Sequence, residues 1–160
     1  IDISPRWLTL SKINQHIKSS VTKKIINKVI ITQRLCNKNP DVDAIYRLFK
    51  KKIDIKFANN KSYFVNNKSY VPFNSQNTTW CEEVFALMYL PTYCTMRSTD
   101  IWRSYIATHI MNKLNMKIFF TSPTVYQERN FHNLDNDFKL EIQAYRDEEI
   151  FINEINKIKI

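Results

Sequence analysis

Glycine is absent from all 160 residues of the chain, although average usage of about 7% would give about eleven. The dinucleotide-binding G-x-G-x-x-G turn, the P-loop and the nucleophile elbow each need a backbone without Cβ, so the sequence excludes all three. Cysteine is scarce as well. Cys36, Cys81 and Cys94 lack the paired spacings of a zinc site or a disulfide framework, and we expect small buried hydrophobes.

Long apolar runs are also missing, because no stretch approaches the roughly 18 residues that a membrane span requires. The 44% apolar and 13% aromatic residues nevertheless predict a folded chain. The length fits a single domain over residues 1–160. Because the chain begins with Ile1 and runs directly into a helix-like pattern, we expect part of a longer protein and a partial domain.

Acidic residues are the minority, with 15 Asp and Glu against 24 Lys and Arg and a formal charge of +9. A net positive charge suggests a polyanionic partner such as nucleic acid. The first 60 residues carry 13 of the basic side chains, however, and the last 40 residues are acidic on balance. We therefore expect no nucleic-acid partner, and a nucleic-acid binder remains a remote alternative.

Hydrophobic periodicity predicts helices and strands in alternation. Apolar residues recur every fourth position across 11–35, which predicts an amphipathic helix ended by Pro40. Alternating apolar residues at 53–57 predict a strand, and two copies of an Asn-Asn-Lys-Ser-Tyr repeat in 59–71 predict a strand–turn–strand unit.

The second half of the chain continues the alternation of elements. A helix is predicted from Trp80 until Pro91, and another from Thr99 as N-cap, with Ile101, Tyr105, Ile106, Ile110 and Leu114 on its inward face. Residues 116–120 predict a buried strand closed by Thr121-Ser122-Pro123, and residues from Asp137 onward predict a last helix. Together these elements predict an α/β fold with a mixed or parallel sheet flanked by helices.

Asp41 and Asp43 form a D-x-D spacing after Pro40. On an extended chain both carboxylates could face one way and hold a divalent cation beside a diphosphate. The alternative is a pair of turn-forming residues after a proline. Arg47 lies in a basic and aromatic segment that could contact substrate or nucleic acid, or that could be a solvated face.

Asp100 lies at a predicted helix start between Arg97 and Arg103. The helix dipole and the guanidinium groups favour an ionised carboxylate, which could accept a proton from a sugar hydroxyl while either arginine faces a phosphate. A helix-start Asp paired with its neighbours is the alternative. Polar side chains in the preceding loop, Asn74, Gln76 and Asn77, are of the kind that binds sugar hydroxyls.

Five blocks of the chain follow one another in a recognisable order: Ile30–Leu35 (IITQRL), Pro40–Leu48 (PDVDAIYRL), Pro72–Thr78 (PFNSQNT), Arg97–Tyr105 (RSTDIWRSY) and Ser122–Gln127 (SPTVYQ). With them the chain resembles the STELLO family across residues 30–127. Ser104 departs from the Gly that family members often have. The resemblance implies the carboxyl-side portion of a GT-A-like glycosyltransferase domain, with Asp100 as the acceptor-activating carboxylate.

A more distant similarity links the same blocks to the reversibly glycosylated polypeptides, which are UDP-arabinopyranose mutases. On that comparison Asp41 and Asp43 are not the metal-binding D-x-D, which would lie upstream. The resemblance therefore implies a nucleotide sugar, a glycan acceptor and a Mn or Mg ion for a full-length parent. It implies that this chain alone neither needs a cofactor nor transfers sugar.

The resemblance also implies a place in the cell and partners. STELLO proteins reside in the Golgi, so a lumenal domain of a single-pass membrane protein is expected, and the sequons at Asn60, Asn67 and Asn77 become acceptors for N-glycans. An alternative function is a non-catalytic partner that supports assembly or trafficking of other glycan synthases.

Overall fold

The computed structural model describes residues 29–50, 53–59, 62–65 and 70–159. Four strands form one mixed sheet in the order β2-β4-β1-β3, with β1 at Val29–Lys38, β2 at Tyr63–Phe64, β3 at Thr78–Trp80 and β4 at Lys117–Gln127. The long strands β1 and β4 are parallel, whereas β2 and β3 run antiparallel to their neighbours. The predicted α/β class with a mixed sheet is confirmed.

Helices flank this sheet. They are α1 at Ala44–Phe49, a 3-10 helix at Glu82–Met88, α2 at Thr99–Lys113 and α3 at Leu134–Lys157. Ala107 and Met111 of α2 pack against the sheet with Ile31 and Ile118. Tyr105, on another side of α2, packs against α3 instead. Among the ranges described, no helix is long and apolar enough to cross a membrane.

The predicted helix over 11–35 is wrong for residues 29–35, which belong to strand β1. Val29, Ile30, Ile31 and Thr32 are β-branched, and β1 pairs with β4 on one side and β3 on the other. Backbone hydrogen bonds to two neighbouring strands therefore stabilise β1 as a strand, although Val29 continues the four-residue apolar spacing of a helix. Residues 11–28 of that prediction lie outside the described residues.

The strand predicted at 116–120 is present, but β4 continues through Pro123 to Gln127. Its register against β1 shifts between the pairs Arg34 with Thr121 and Cys36 with Val125. Pro123 lies in this irregularity, where a proline does not remove a ladder hydrogen bond. The longer strand carries the chain to the edge of the sheet beside the site described below.

Two other strand predictions are only partly met. Residues 53–57 form no regular strand, and Ile55 makes one isolated bridge to Lys38. In the Asn-Asn-Lys-Ser-Tyr repeat, Tyr63–Phe64 forms β2, while 66–69 in the second copy lie outside the described residues. The helix predicted from Trp80 begins later, since Trp80 ends β3 and the 3-10 helix follows at Glu82.

Helix α2 begins where it was predicted, with Ser98 as N-cap in place of Thr99 and with Asp100 in the first turn. Its predicted inward face is correct for Ile101 and Tyr105 and wrong for Ile106, which is 37% exposed. Leu114 is also exposed. Because α2 is covered by the sheet on one side and α3 on another, most of its turns are buried and only a narrow outward stripe remains.

The end of α2 shows how this chain turns without glycine. Asn115 adopts a positive φ of 55° directly after the helix. Its N–H bonds to the carbonyl of Asn112, and the N–H of Met116 bonds to the carbonyl of Met111. This is the Schellman pattern, in which asparagine takes the left-handed position that glycine usually fills.

Candidate functional site

A cleft of about 590 Å³ opens beside the carboxyl ends of the parallel strands β1 and β4. In open α/β sheets, crevices at this edge are where ligands bind. The cleft collects residues from the loops after both strands, from the loop before β3 and from both long helices. Its lining consists of Asp41, Ser75, Gln76, Leu90, Met96, Arg97, Thr99, Asp100, Gln127, Arg129 and Leu140.

Asp100 lies in the first turn of α2, as the sequence predicts, and it lines the cleft. Its Oδ2 atom accepts a hydrogen bond of 2.9 Å from the backbone N–H of Ser75. The N–H of Gln76 donates to Asn74 Oδ1 at 3.1 Å, which tightens the same loop. The helix dipole favours a carboxylate at this position. The carboxylate is therefore fixed between a helix start and a loop.

Gln76 joins three parts of the cleft wall. Its side-chain oxygen accepts a hydrogen bond from the N–H of Asp41 at 3.1 Å, and its side-chain nitrogen donates to Gln127. Asn74 adds a longer hydrogen bond of 3.4 Å to the carbonyl of Asp41. The polar loop predicted to bind sugar hydroxyls thus lies at the cleft. Its hydrogen bonds to Asp41 and Gln127 hold it against the carboxyl ends of β1 and β4.

Arg97 lies in the cleft wall, and its guanidinium pairs with carboxylates on α3. The guanidinium reaches Glu141 Oε1 through Nη2 at 2.8 Å and through Nε at 3.0 Å. Asp137 lies 3.7 Å from the same Nη2 atom. The other oxygen of Glu141 accepts a hydrogen bond from the N–H of Ala44 at 2.8 Å. Fully buried Glu141 therefore ties α1, Arg97 and α3 together.

Arg129 and Asp41 form the second charged pair of the cleft, with 3.0 Å between Nη1 and Oδ1. Each residue follows the carboxyl end of one of the two parallel strands. Both side chains are mostly buried, which makes the pair better shielded from water than a surface ion pair. The pair therefore joins the segments that follow β1 and β4 at the cleft.

Arg103 does not line the cleft. It is 4% exposed, and its guanidinium lies 4.8 Å from the centre of the Trp80 ring and 5.8 Å from that of Phe73. Burial lowers the pKa of the Arg103 guanidinium, and the charge of Asp100 acts in the opposite direction. A ring-covered guanidinium cannot present itself to a phosphate, so this candidate role does not match the position of the side chain.

The side chains of Asp43 and Arg47 form hydrogen bonds within the turn after β1 and the start of α1. Asp43 is the N-cap of α1, where its Oδ1 accepts a hydrogen bond of 2.6 Å from the N–H of Tyr46. The Arg47 guanidinium is buried and donates to the carbonyl of Pro40 at 2.6 Å and to Asn39 Oδ1 at 2.6 Å. These contacts stabilise the turn after β1 and do not reach the cleft.

The geometry of Asp41 and Asp43 does not fit a cation site. One carboxylate pairs with Arg129 and the other caps α1, so the two do not converge. Within the described part of the chain, no group of three or more His, Cys, Asp or Glu side chains could hold a metal ion. The divalent cation therefore stays a prediction for a longer parent.

Of the three sequons, only Asn77 lies in a described part of the chain. Its side-chain nitrogen donates to the carbonyl of Leu35 at 2.9 Å and to Thr124 Oγ1 at 3.1 Å. A glycan on that nitrogen would replace contacts that join the loop to β1 and β4. Asn60 and Asn67 lie outside the described residues.

Comparison of the sequence with known protein families finds a match. Residues 97–160 match the family model of the STELLO glycosyltransferases. This segment is STELLO-like. The match confirms the STELLO resemblance within residues 97–160 and suggests a glycosyltransferase-like function. A comparison with curated protein sequences finds no significant match.

Only part of the cleft lining belongs to the segment that matches the STELLO family model. Arg97, Thr99, Asp100, Gln127, Arg129 and Leu140 lie inside the matched segment. Asp41 and the loop at Ser75 and Gln76 lie outside it, as do three of the sequence blocks that carried the resemblance, all between residues 30 and 78. The STELLO-like segment therefore contains Asp100 and also Arg97 with both of its partners on α3, Asp137 and Glu141.

Sequence reasoning missed the second half of the cleft. Gln127 and Arg129 were not placed at the sheet edge, because the predicted strand ended before Pro123. Glu141 was not singled out because a Glu in a helical pattern indicates a solvated face. A usable signal for Gln127 was present, since it ends the last of the five sequence blocks.

Proposed function

We propose that this chain is the acceptor-side part of a GT-A-like glycosyltransferase domain. In a longer parent it takes part in transferring a sugar from a nucleotide sugar to a glycan acceptor. The observation that carries the proposal is the Asp100 carboxylate, held by Ser75 N–H in a cleft at the carboxyl ends of two parallel strands. The STELLO match over residues 97–160 supports the class of reaction.

Asp100 acts on the acceptor hydroxyl in this proposal. Oδ2 is engaged by Ser75, and among the described residues Oδ1 accepts no hydrogen bond, so that oxygen can accept one from a hydroxyl of the acceptor. This contact orients the acceptor oxygen toward the anomeric carbon of the donor. The new bond forms from that oxygen to the anomeric carbon as the bond to the nucleotide phosphate breaks. Positioning is the first role of Asp100, and taking the hydroxyl proton is the second.

The donor half of the reaction is assigned to the parent. None of the arginines of the cleft region offers an unpaired guanidinium to a diphosphate, because Arg97 and Arg129 pair with carboxylates and Arg103 is covered by rings. A cation that binds a nucleotide diphosphate would supply charge neutralisation in that other half. No step of the acceptor chemistry depends on it.

A transfer assay on the full-length parent tests this function. The wild-type protein should transfer sugar from at least one nucleotide sugar to a glycan, and Asp100→Asn should lower the rate by about 10²-fold or more. Asp135→Asn is the matched control. Asp135 is also in the first turn of its helix, α3, but it is exposed and outside the cleft. Equal activity in all three proteins would remove Asp100 from the site.

The Golgi lumen is the compartment that we propose for the parent, on the strength of the STELLO resemblance. Asn60 and Asn67 are then the expected glycan acceptors. Expression of the protein with a secretory leader should give a mobility shift that an endoglycosidase removes and that Asn60→Gln with Asn67→Gln abolishes. An insensitive mobility would argue against the compartment or against access to these sequons.

A non-catalytic partner of glycan synthases is the second candidate, and one surface favours it. Residues 84–96 contain no charged side chain, and six large apolar ones are exposed: Phe85, Met88, Tyr89, Leu90, Tyr93 and Met96. Protein interfaces are enriched in such residues. If this function is the right one, Tyr93→Glu should abolish association with the synthase complex while Asp100→Asn leaves it intact.

A further inference from the structure

We infer that the cleft at Asp100 takes a neutral saccharide and discriminates against sugars that carry a carboxylate or a phosphate. The inference rests on the proposed function, because it names the class of acceptor for that site. It is carried by the pairing of the arginines around the cleft and by the chemistry of its uncharged lining.

Both cleft arginines are already neutralised. The Arg97 side chain is held by Glu141 at 2.8 Å with Asp137 close by, and Arg129 is held by Asp41 at 3.0 Å. An anionic ligand would have to displace a mostly buried carboxylate from its guanidinium and leave that carboxylate without its partner. Breaking one half of a buried pair is strongly unfavourable.

The balance of charges around the cleft also disfavours an anionic ligand. In the described residues, the carboxylates of Asp41, Asp137 and Glu141 pair with the guanidinium groups of Arg97 and Arg129, and the charge of Asp100 acts on that of Arg103, which lies beside the cleft. There are therefore four negative charges for three positive ones, and His132 beside Asp137 adds a positive charge only when it is protonated. A ligand that brings a further negative charge meets a site with no spare cation.

The uncharged lining has the chemistry that a neutral sugar needs. Ser75, Gln76, Thr99 and Gln127 line the cleft with uncharged polar side chains, of which the Gln76 amide bonds to Asp41 and Gln127 and the Thr99 hydroxyl to the Pro91 carbonyl. Three apolar residues, Leu90, Met96 and Leu140, are also in the lining. A sugar ring has hydroxyl groups at its edge and C–H groups on its face, so it can contact both the polar and the apolar residues of this lining. Pockets that combine an apolar wall with a few polar groups fix the orientation of a ligand.

The inference is tested by measuring the binding of three sets of sugars to the full chain, and within each set the sugars differ only at C6. The probes are methyl glycosides of glucose, galactose and mannose, the corresponding methyl uronosides and the corresponding 6-phosphates. Binding is read from the backbone amide NMR shifts of Ser75, Gln76, Thr99 and Gln127. We expect at least one neutral glycoside to shift these amides, and its uronoside and 6-phosphate to bind at least about tenfold more weakly.

Two variants release an arginine and should reverse the preference. Glu141→Gln removes the nearer charge partner of Arg97 and leaves Asp137 at 3.7 Å, and Asp41→Asn removes the carboxylate that pairs with Arg129. Each should raise the affinity for the uronoside or the phosphate, relative to that for the neutral glycoside, by about tenfold. Asp41 is the safer site because Glu141 is fully buried. Asp147→Asn, at an exposed pair with Arg146, is the control that should change nothing.

Anionic sugars that bind as tightly as the neutral ones in the wild-type chain would overturn the inference, and so would an absence of shifts with every probe. The proposed function fails differently. A parent that transfers sugar only to acidic acceptors keeps the function and loses this inference. A parent without transfer activity, whose cleft still prefers neutral glycosides, loses the function and keeps the inference.

Discussion

Asp100 and Ser75 join the first turn of α2 to the loop before β3, with 2.9 Å between Asp100 Oδ2 and the Ser75 nitrogen. The Asp100 carboxylate therefore has a structural role, because it stabilises a loop, and a candidate functional role, because it lines the cleft. A loss of activity on mutation does not by itself separate these roles. Stability must be measured beside function.

The first prediction separates the two roles of Asp100. Asp100→Asn keeps an oxygen for the Ser75 N–H and loses the favourable dipole interaction, so the free energy of unfolding should fall by about 0.3–1 kcal/mol. Asp100→Ala also removes the acceptor and should cost about 0.5–1.5 kcal/mol more. Urea denaturation measures both. Complete unfolding of the Asn variant would assign Asp100 to structure alone.

The two sides of α2 should respond differently to truncation. Ile101 is 1% exposed and packs in the cluster between α2 and α3, so Ile101→Ala should cost about 2–5 kcal/mol. Ile106 lies on the outward stripe, and Ile106→Ala should cost less than about 1 kcal/mol. Equal losses in thermal or urea denaturation would contradict the placement of α2 between the sheet and α3.

Arg103 should matter for its shape more than for its charge. Its Nε and Nη2 atoms are buried without hydrogen-bond partners in the described residues, and the guanidinium rests on Trp80 and Phe73. Arg103→Met keeps the packing and should stay within about 1 kcal/mol of the wild-type stability. Arg103→Ala removes the packing and should cost about 2 kcal/mol or more. A Met variant as unstable as the Ala variant would show that the charge is needed.

The cysteines provide a chemical test of the fold. Cys36 is buried in β1, and burial raises the pKa of its thiol, whereas Cys81 is exposed. A raised thiol pKa lowers the thiolate fraction near pH 8, and the thiolate is the reactive form. Cys81 should react with iodoacetamide at least about tenfold faster than Cys36, as read by mass spectrometry. Labelling of Cys36 at the same rate would place β1 at the surface.

The sequence predicted the elements that local signals define. Asp100 in a first turn, with a Ser and a Thr before it, was enough to place the start of α2, and periodic residues placed α3. The β1 segment was misassigned because Val29 continues a four-residue apolar spacing, while its strand partner β4 lies far along the chain. Local periodicity carries no information about such pairing.

The candidate site was predicted in part for the same reason. Asp41, Gln76, Arg97 and Asp100 were named from the sequence, and the structure places all four at one cleft. The charged partners of Asp41 and Arg97 were not predictable, because Arg129 and Glu141 meet them only through the packing of β4 and α3 against the rest. The roles of the four residues in binding and catalysis stay predictions.

The most direct test of the account measures donor binding and acceptor turnover in the same Asp100→Asn variant of the full-length parent. Because Asp100 lies in a cleft whose arginines are already paired, the affinity for the nucleotide sugar should change by less than about twofold, whereas transfer to the glycan acceptor should fall by about 10²-fold or more. Unchanged transfer, or a loss of nucleotide-sugar binding that accounts for the whole effect, would contradict the assignment of this cleft to the acceptor.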